Sequence, residues 1–172
     1  MIESFILITV FSQLFFSEPM DLGIYNGCEW HCLTYQFYHA NWIHLLLNAM
    51  SLIVLFKPTL YNLRREFGWI SSAKYLFAMY TCSVIAGLVA CQNIPTVGAS
   101  GISFAMMGVL LGIRPTKAQL IAFWPVALCI LVQIVAGHSN TCLHIVAFIL
   151  GVAFVFAKRI LNDIRHREIQ VN

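Results

Sequence analysis

Apolar residues fall in six long runs, at 5–16, 42–56, 75–90, 100–113, 118–136 and 143–157. A membrane-spanning helix needs roughly 17–25 predominantly apolar residues, and fewer where one end is buried in protein rather than lipid. Each run is therefore read as a span. The first is short and interrupted by Ser12 and Gln13, and the fifth contains Pro125. No Asp or Glu falls in any of the six. The segment between the first two runs holds Pro19, Gly23, Gly27 and the acids Glu18, Asp21 and Glu29, and reads as a long first loop. No repeat at a fixed period and no low-complexity segment interrupts the pattern. The expected architecture is all-α: a polytopic six-helix bundle forming one domain over residues 1–172.

Charge orients the bundle. All 10 Lys and Arg lie in three segments, 57–74, 114–117 and 158–167, which six spans put on one side of the membrane. The positive-inside rule makes that side cytoplasmic, with both termini. The loops at 17–41, 91–99 and 137–142 then lie outside. Residues 1–17 lack the basic start of a signal peptide, since no Lys or Arg precedes Lys57, and are expected to stay as a span. Composition agrees. Of 172 residues, 60% are hydrophobic and 10% charged, with a mean hydropathy of +0.80. Soluble domains average roughly 45–50% apolar and about 25% charged. Disordered chains, disulfide-dense secreted miniproteins and nucleic-acid-binding domains are excluded, and an ordinary soluble enzyme fits poorly.

Polar residues inside a membrane are costly and are read first as functional. Here they cluster. His39, His44 and Asn48 surround the start of the second run, Ser100 opens the fourth and His144 opens the sixth. Each of these runs enters from the outer side, so all five residues share one depth. His44 and Asn48 are four apart and share a helix face. Ser100, Phe104, Met107 and Gly108 form one stripe, and His144, Ala147, Phe148 and Gly151 another. The small residues Gly108, Ala147 and Gly151 would let those two helices approach closely, bringing the Ser100 hydroxyl to the His144 imidazole.

A serine hydroxyl becomes a nucleophile when a base within about 2.6–3.2 Å takes its proton, and a neutral His supplies that near pH 7. With no carboxylate in any run, a Ser–His dyad is what the composition permits. His44, Asn48 and the Ser100 N–H could donate to a developing oxyanion.

At these residues the chain resembles the rhomboid family of intramembrane serine proteases. Gly98-Ala99-Ser100-Gly101 matches the family's GxSG motif, and the stretch from Ser100 to Gly108 fits the pattern that follows it. His39-x4-His44-x3-Asn48 matches the second-span motif. His144 with Gly151 seven later resembles the sixth-span motif. The resemblance covers roughly residues 30–157. It implies Ser100 as nucleophile, His144 as base and later acid, and His44, Asn48 and the Ser100 N–H as oxyanion site. It also implies His39 beside the site in a structural or water-holding role, and Phe104 against the catalytic imidazole. The implied substrates are transmembrane segments of other proteins, cut near their outer ends, with no metal or organic cofactor. The bare core suggests a bacterial inner-membrane protein. Departures from the family pattern are Trp30-His31 for a Trp-Arg pair, Leu143 for a small residue, Ala147 for Gly, and, in the loop after the second span, a family Glu that is not at its usual spacing, Glu66 being the only acid there.

Plainer readings stand beside this one. Serines at membrane helix interfaces are mostly packing residues, and His44 and Asn48 could be interhelical hydrogen-bond partners. A rhomboid-like pseudoprotease would hold membrane clients without cutting them. A transporter using His39, His44 and His144 as a proton path would need polar residues continuing into the inner half, where the second and sixth runs become apolar. Cys28 and Cys32 flank His31 in the outer loop, but no fourth metal ligand is evident. A disulfide or two free thiols is expected there, and Cys82, Cys91, Cys129 and Cys142 read as packing residues.

Overall fold

The computed structural model describes residues 1–16, 18–91, 93–113 and 141–171. The expected span at 118–136 lies outside the described residues. Five helices carry the architecture: α1 (Ile2–Phe15), α2 (Trp42–Phe67), α3 (Ser72–Val89), α4 (Ser100–Gly112) and α5 (Thr141–Val171). Among the described residues α2, α3 and α5 are long and apolar enough to cross a membrane, while α1 and α4 are shorter apolar helices. No strand forms among the described residues beyond one isolated bridge.

Two helices outrun their apolar runs. The second run ends at residue 56, yet α2 continues to Phe67 through Pro58. The sixth run ends at residue 157, yet α5 continues to Val171. Apolar length marks where lipid ends, whereas a helix ends where its hydrogen-bond ladder is broken. Pro58 removes one donor without stopping the helix. Nearby, Thr59 donates to the Leu55 carbonyl and Asn62 to the Pro58 carbonyl at 2.9 Å. Gly68, at φ 77, then ends α2 in a conformation that favours glycine. Arg64 holds the turn into α3, donating to the Ile70 carbonyl at 2.9 Å and lying over the Trp69 ring.

Helix α4 occupies the centre, packed most extensively on α5 and also against α2 and α3. Every residue from Gly101 to Leu110 is buried. The stripe that faces α5 thus belongs to a helix covered all round. That is why 13 residues suffice: its polar ends meet protein rather than lipid. The α4–α5 contact is backbone against backbone. A Cβ on Gly108 would collide with the Phe148 carbonyl, and one on Gly151 with the Ala105 carbonyl. Ala147, one turn before Gly151 on α5, is fully buried.

Helix α1 runs so that its first residues share a cavity with Phe56, Lys57 and Arg64 of α2. At its other end, Gln13 accepts the His39 backbone N–H at 3.0 Å. The N-terminus therefore sits at the basic end of the bundle, and the first loop at the end that holds His39. In that loop, single-turn helices span Glu29–Leu33 and Tyr35–Phe37. Arg159 of α5 closes the basic end: it pairs with Glu66 at 2.6 Å and donates to the Gly112 carbonyl at 2.9 Å.

Candidate active site

The site grows from the start of α4. Ser100 is the helix's first residue, so its N–H is among the donors that a helix start leaves without an intrahelical partner. The preceding loop is fixed from two directions. Thr96 and Ile24 exchange backbone hydrogen bonds of 2.9 and 3.0 Å, and Gly98 donates to the Tyr35 carbonyl at 2.8 Å. Gly98 takes φ +115, which a side chain rarely adopts. A Cβ there would also lie 2.8 Å from His44 Cε1 and 3.4 Å from Asn48 Nδ2. The glycine thus lets the loop lie flat on the two residues expected to serve an oxyanion.

His144, near the start of α5, meets Ser100 across the glycine-lined contact. Ser100 Oγ lies 2.8 Å from His144 Nε2. The Phe104 ring, one turn along α4, stacks on the imidazole at 4.2 Å between centroids and 10° between planes. His144 is buried and Ser100 half-buried.

Helix α2 supplies the third wall. Asn41 caps it, its side chain accepting the His44 N–H at 2.8 Å. Asn48 Nδ2 donates to the His44 carbonyl at 3.1 Å and is buried. His39 is buried behind the loop that precedes Ser100, where Nε2 accepts the Ala99 N–H at 3.2 Å and the ring meets His44 edge-on at 5.2 Å. Burial, and secondarily His44, pull the His39 pKa down to about 3. The ring is therefore neutral, and accepting at Nε2 leaves its proton on Nδ1, which has no partner among the described residues.

The structure thus brings together Ser100, His144, Phe104, His39, His44, Asn48, Gly98 and Gly101. The motifs and spacing left out the layer beneath them. Tyr35 hydrogen-bonds both the carbonyl and the hydroxyl of Ser83 at 2.7 Å, and burial pushes its phenol pKa up. A Cβ on Gly101 would strike Ser83 and crowd Tyr35 and Leu143. Gly101 is thereby required for close approach of α3. Ser83, a polar residue in an apolar run, and Asn41, an N-cap type just before one, were the available signals. Gln13 was visible as an interruption, though its role was not.

In the first loop, His31 Nδ1 lies 2.8 Å from the Gly23 carbonyl, and Trp30 packs on its ring. Cys28 donates to the Tyr25 hydroxyl, and both Cys28 and Cys32 are free thiols. Of the two alternatives open for this pair, the structure has the thiols.

Comparison with known proteins decides the family. The Rhomboid domain family model matches residues 26–160, well over half of the chain. The chain belongs to the rhomboid family. Family membership and the apolar helices make it an integral membrane protein. The rhomboid chain is also 28% identical over 139 residues to a Bacillus subtilis (strain 168) protein named "Putative rhomboid protease YdcA". That match covers 78% of this chain, which spans 60% of the relative's length. No solved structure matches it.

Proposed function

We propose that this rhomboid protein is an intramembrane serine endopeptidase that cuts transmembrane segments of other membrane proteins. The observation that carries the reading is the 2.8 Å separation of Ser100 Oγ and His144 Nε2 at a buried site. His144 takes the hydroxyl proton as Oγ attacks the scissile carbonyl. The new oxyanion is met by the Ser100 N–H, the His44 ring and the Asn48 amide. The proton on His144 then passes to the leaving amine, and an acyl-enzyme ester remains on Ser100. Water, deprotonated by the same imidazole, hydrolyses the ester and restores the serine. Phe104 limits rotation of the imidazole by stacking on it. His39 holds the Ala99 peptide and so the start of α4.

We place the site toward the periplasmic face of a bacterial inner membrane. The N-terminus and the basic ends of α2 and α5 are cytoplasmic, because Lys57, Arg64, Arg65, Lys158 and Arg159 gather at the opposite end from Ser100.

The test uses the full chain reconstituted in liposomes with a tagged transmembrane segment carrying small and helix-breaking residues near its outer end. Wild type is expected to release product and to label with a fluorophosphonate, and Ser100→Ala and His144→Ala to do neither. A folded wild-type protein that cuts none of several such segments and resists the probe would overturn the protease reading in favour of client binding.

A further inference from the structure

The basic end of the bundle holds a second site. On α5, Lys158, Leu161, Asn162 and Arg165 recur at i, i+3, i+4 and i+7, so they share one helix face. With Phe67, the last residue of α2, they line a cavity of about 300 Å³. Neither Lys158 nor Arg165 has a hydrogen bond or ion pair with a described residue. The adjacent acid, Glu66, is already taken by Arg159. Asp163 falls on the other side of the helix by its 3.6-residue period.

Depth identifies what meets this cavity. Lys158 lies 14 residues beyond His144 on one helix, about 21 Å along its axis. With His144 in the outer half of a core about 30 Å thick, Lys158 reaches the inner headgroup boundary. Leu161 is 63% exposed at the rim, and Phe67 forms the facing wall. Two cations without a partner among the described residues and an amide donor, edged by apolar surface at headgroup depth, complement a phosphodiester with the start of its acyl chains. A free phosphate would use the cations and leave the apolar rim without purpose. The geometry points to a binding site for an anionic phospholipid headgroup of the cytoplasmic leaflet. This site is independent of the chemistry at Ser100.

The experiment counts lipid retained on the delipidated full chain by native mass spectrometry after exposure to vesicles of phosphatidylglycerol or of phosphatidylcholine. Compared are wild type, Lys158→Gln, Arg165→Gln, the double variant, and Lys74→Gln as a cation of the same end outside the cavity. Wild type is expected to retain phosphatidylglycerol selectively. Each single change in the cavity should weaken retention about fivefold and the pair about 25-fold, from the typical worth of a cation near an anionic surface. Lys74→Gln should behave as wild type, and thermal unfolding without lipid should be the same for all. Equal weakening by Lys74→Gln would reduce the effect to general surface charge and overturn the site. So would a double variant that keeps its selectivity. Displacement of the lipid by soluble glycerol phosphate at matched concentration would overturn the lipid assignment in favour of a free-phosphate site.

Discussion

A single methyl group at Gly151 should disarm the site from a distance. A Cβ there would lie 2.9 Å from the Ala105 carbonyl carbon and 3.1 Å from its Cα. The carbonyl oxygen lies closer still, and non-bonded contacts settle at about 3.5–4.0 Å between carbons, so α4 and α5 must part by about 1 Å or more. Both obstacles are backbone atoms, which no rotamer change can clear. The reacting groups stand on the same two helices, with His144 seven residues from Gly151, about 10 Å along α5. If the helices separate as rigid rods, the 2.8 Å contact between Ser100 and His144 opens to about 3.8 Å or more, beyond the roughly 2.6–3.2 Å that proton transfer needs. A misplacement of about 1 Å can cost about a hundredfold in rate. Overpacking adds about 1–3 kcal/mol of lost stability. Gly151→Ala should therefore cut a transmembrane substrate about a hundredfold more slowly in liposomes while remaining folded. Ala153→Val, at an exposed position of the same helix, should leave the rate unchanged. A folded Gly151→Ala protein that cleaves at the wild-type rate would refute the claim that helix spacing sets the dyad.

Three further outcomes follow from the same geometry. Gly98→Ala forces a side chain into φ +115 and against His44. It should cost about 1–3 kcal/mol in thermal unfolding, together with loss of fluorophosphonate labelling. His39 has a pKa of about 3 in the fold against an ordinary value of 6.5. The unfolded chain thus gains its proton first as pH falls, and stability present above pH 6.5 should drain away between 6.5 and 3. The slope approaches about 1.4 kcal/mol per pH unit, and unfolding in detergent at stepped pH should show it flattened in His39→Gln. At the basic end, Glu66→Gln keeps an acceptor for a partly exposed Arg159 and should cost under about 1 kcal/mol. Arg159→Met also strips the Gly112 carbonyl of its donor and should cost about 1–3 kcal/mol in the same unfolding measurement.

The sequence was most readable where periodicity and topology acted together. Three runs entering from one side fix Ser100, His144 and His44 at a common depth without any side-chain geometry. Gly108 and Gly151 were legible because a close helix contact leaves no room for a side chain. Elsewhere the pattern speaks of solvent, and hydrogen bonds decide the structure. Hydropathy stops at residues 56 and 157, but the α2 and α5 ladders run on. Within α4 the stripe of Ser100, Phe104, Met107 and Gly108 told of one neighbour, and the helix has neighbours on every side. Contacts between distant segments were hidden for the same reason. Gln13 reaches the His39 backbone across 26 residues, and Tyr35 reaches Ser83 across 48. Neither distance has a period that a single sequence displays.

The loop ahead of Ser100 is tied closely to the first loop. It hangs from the first outer segment through the paired backbone bonds of Ile24 and Thr96, the Asn26–Asn93 side-chain bond of 2.8 Å, and the Tyr35 carbonyl that holds Gly98. A pull on that segment is transmitted to the peptide of Ser100. Displacing it to make a doorway would unseat Ser100. On the proposed protease reading the arrangement works as an interlock: a productive route to Ser100 and His144 leaves this side of the molecule closed, and opening it here switches the chain off.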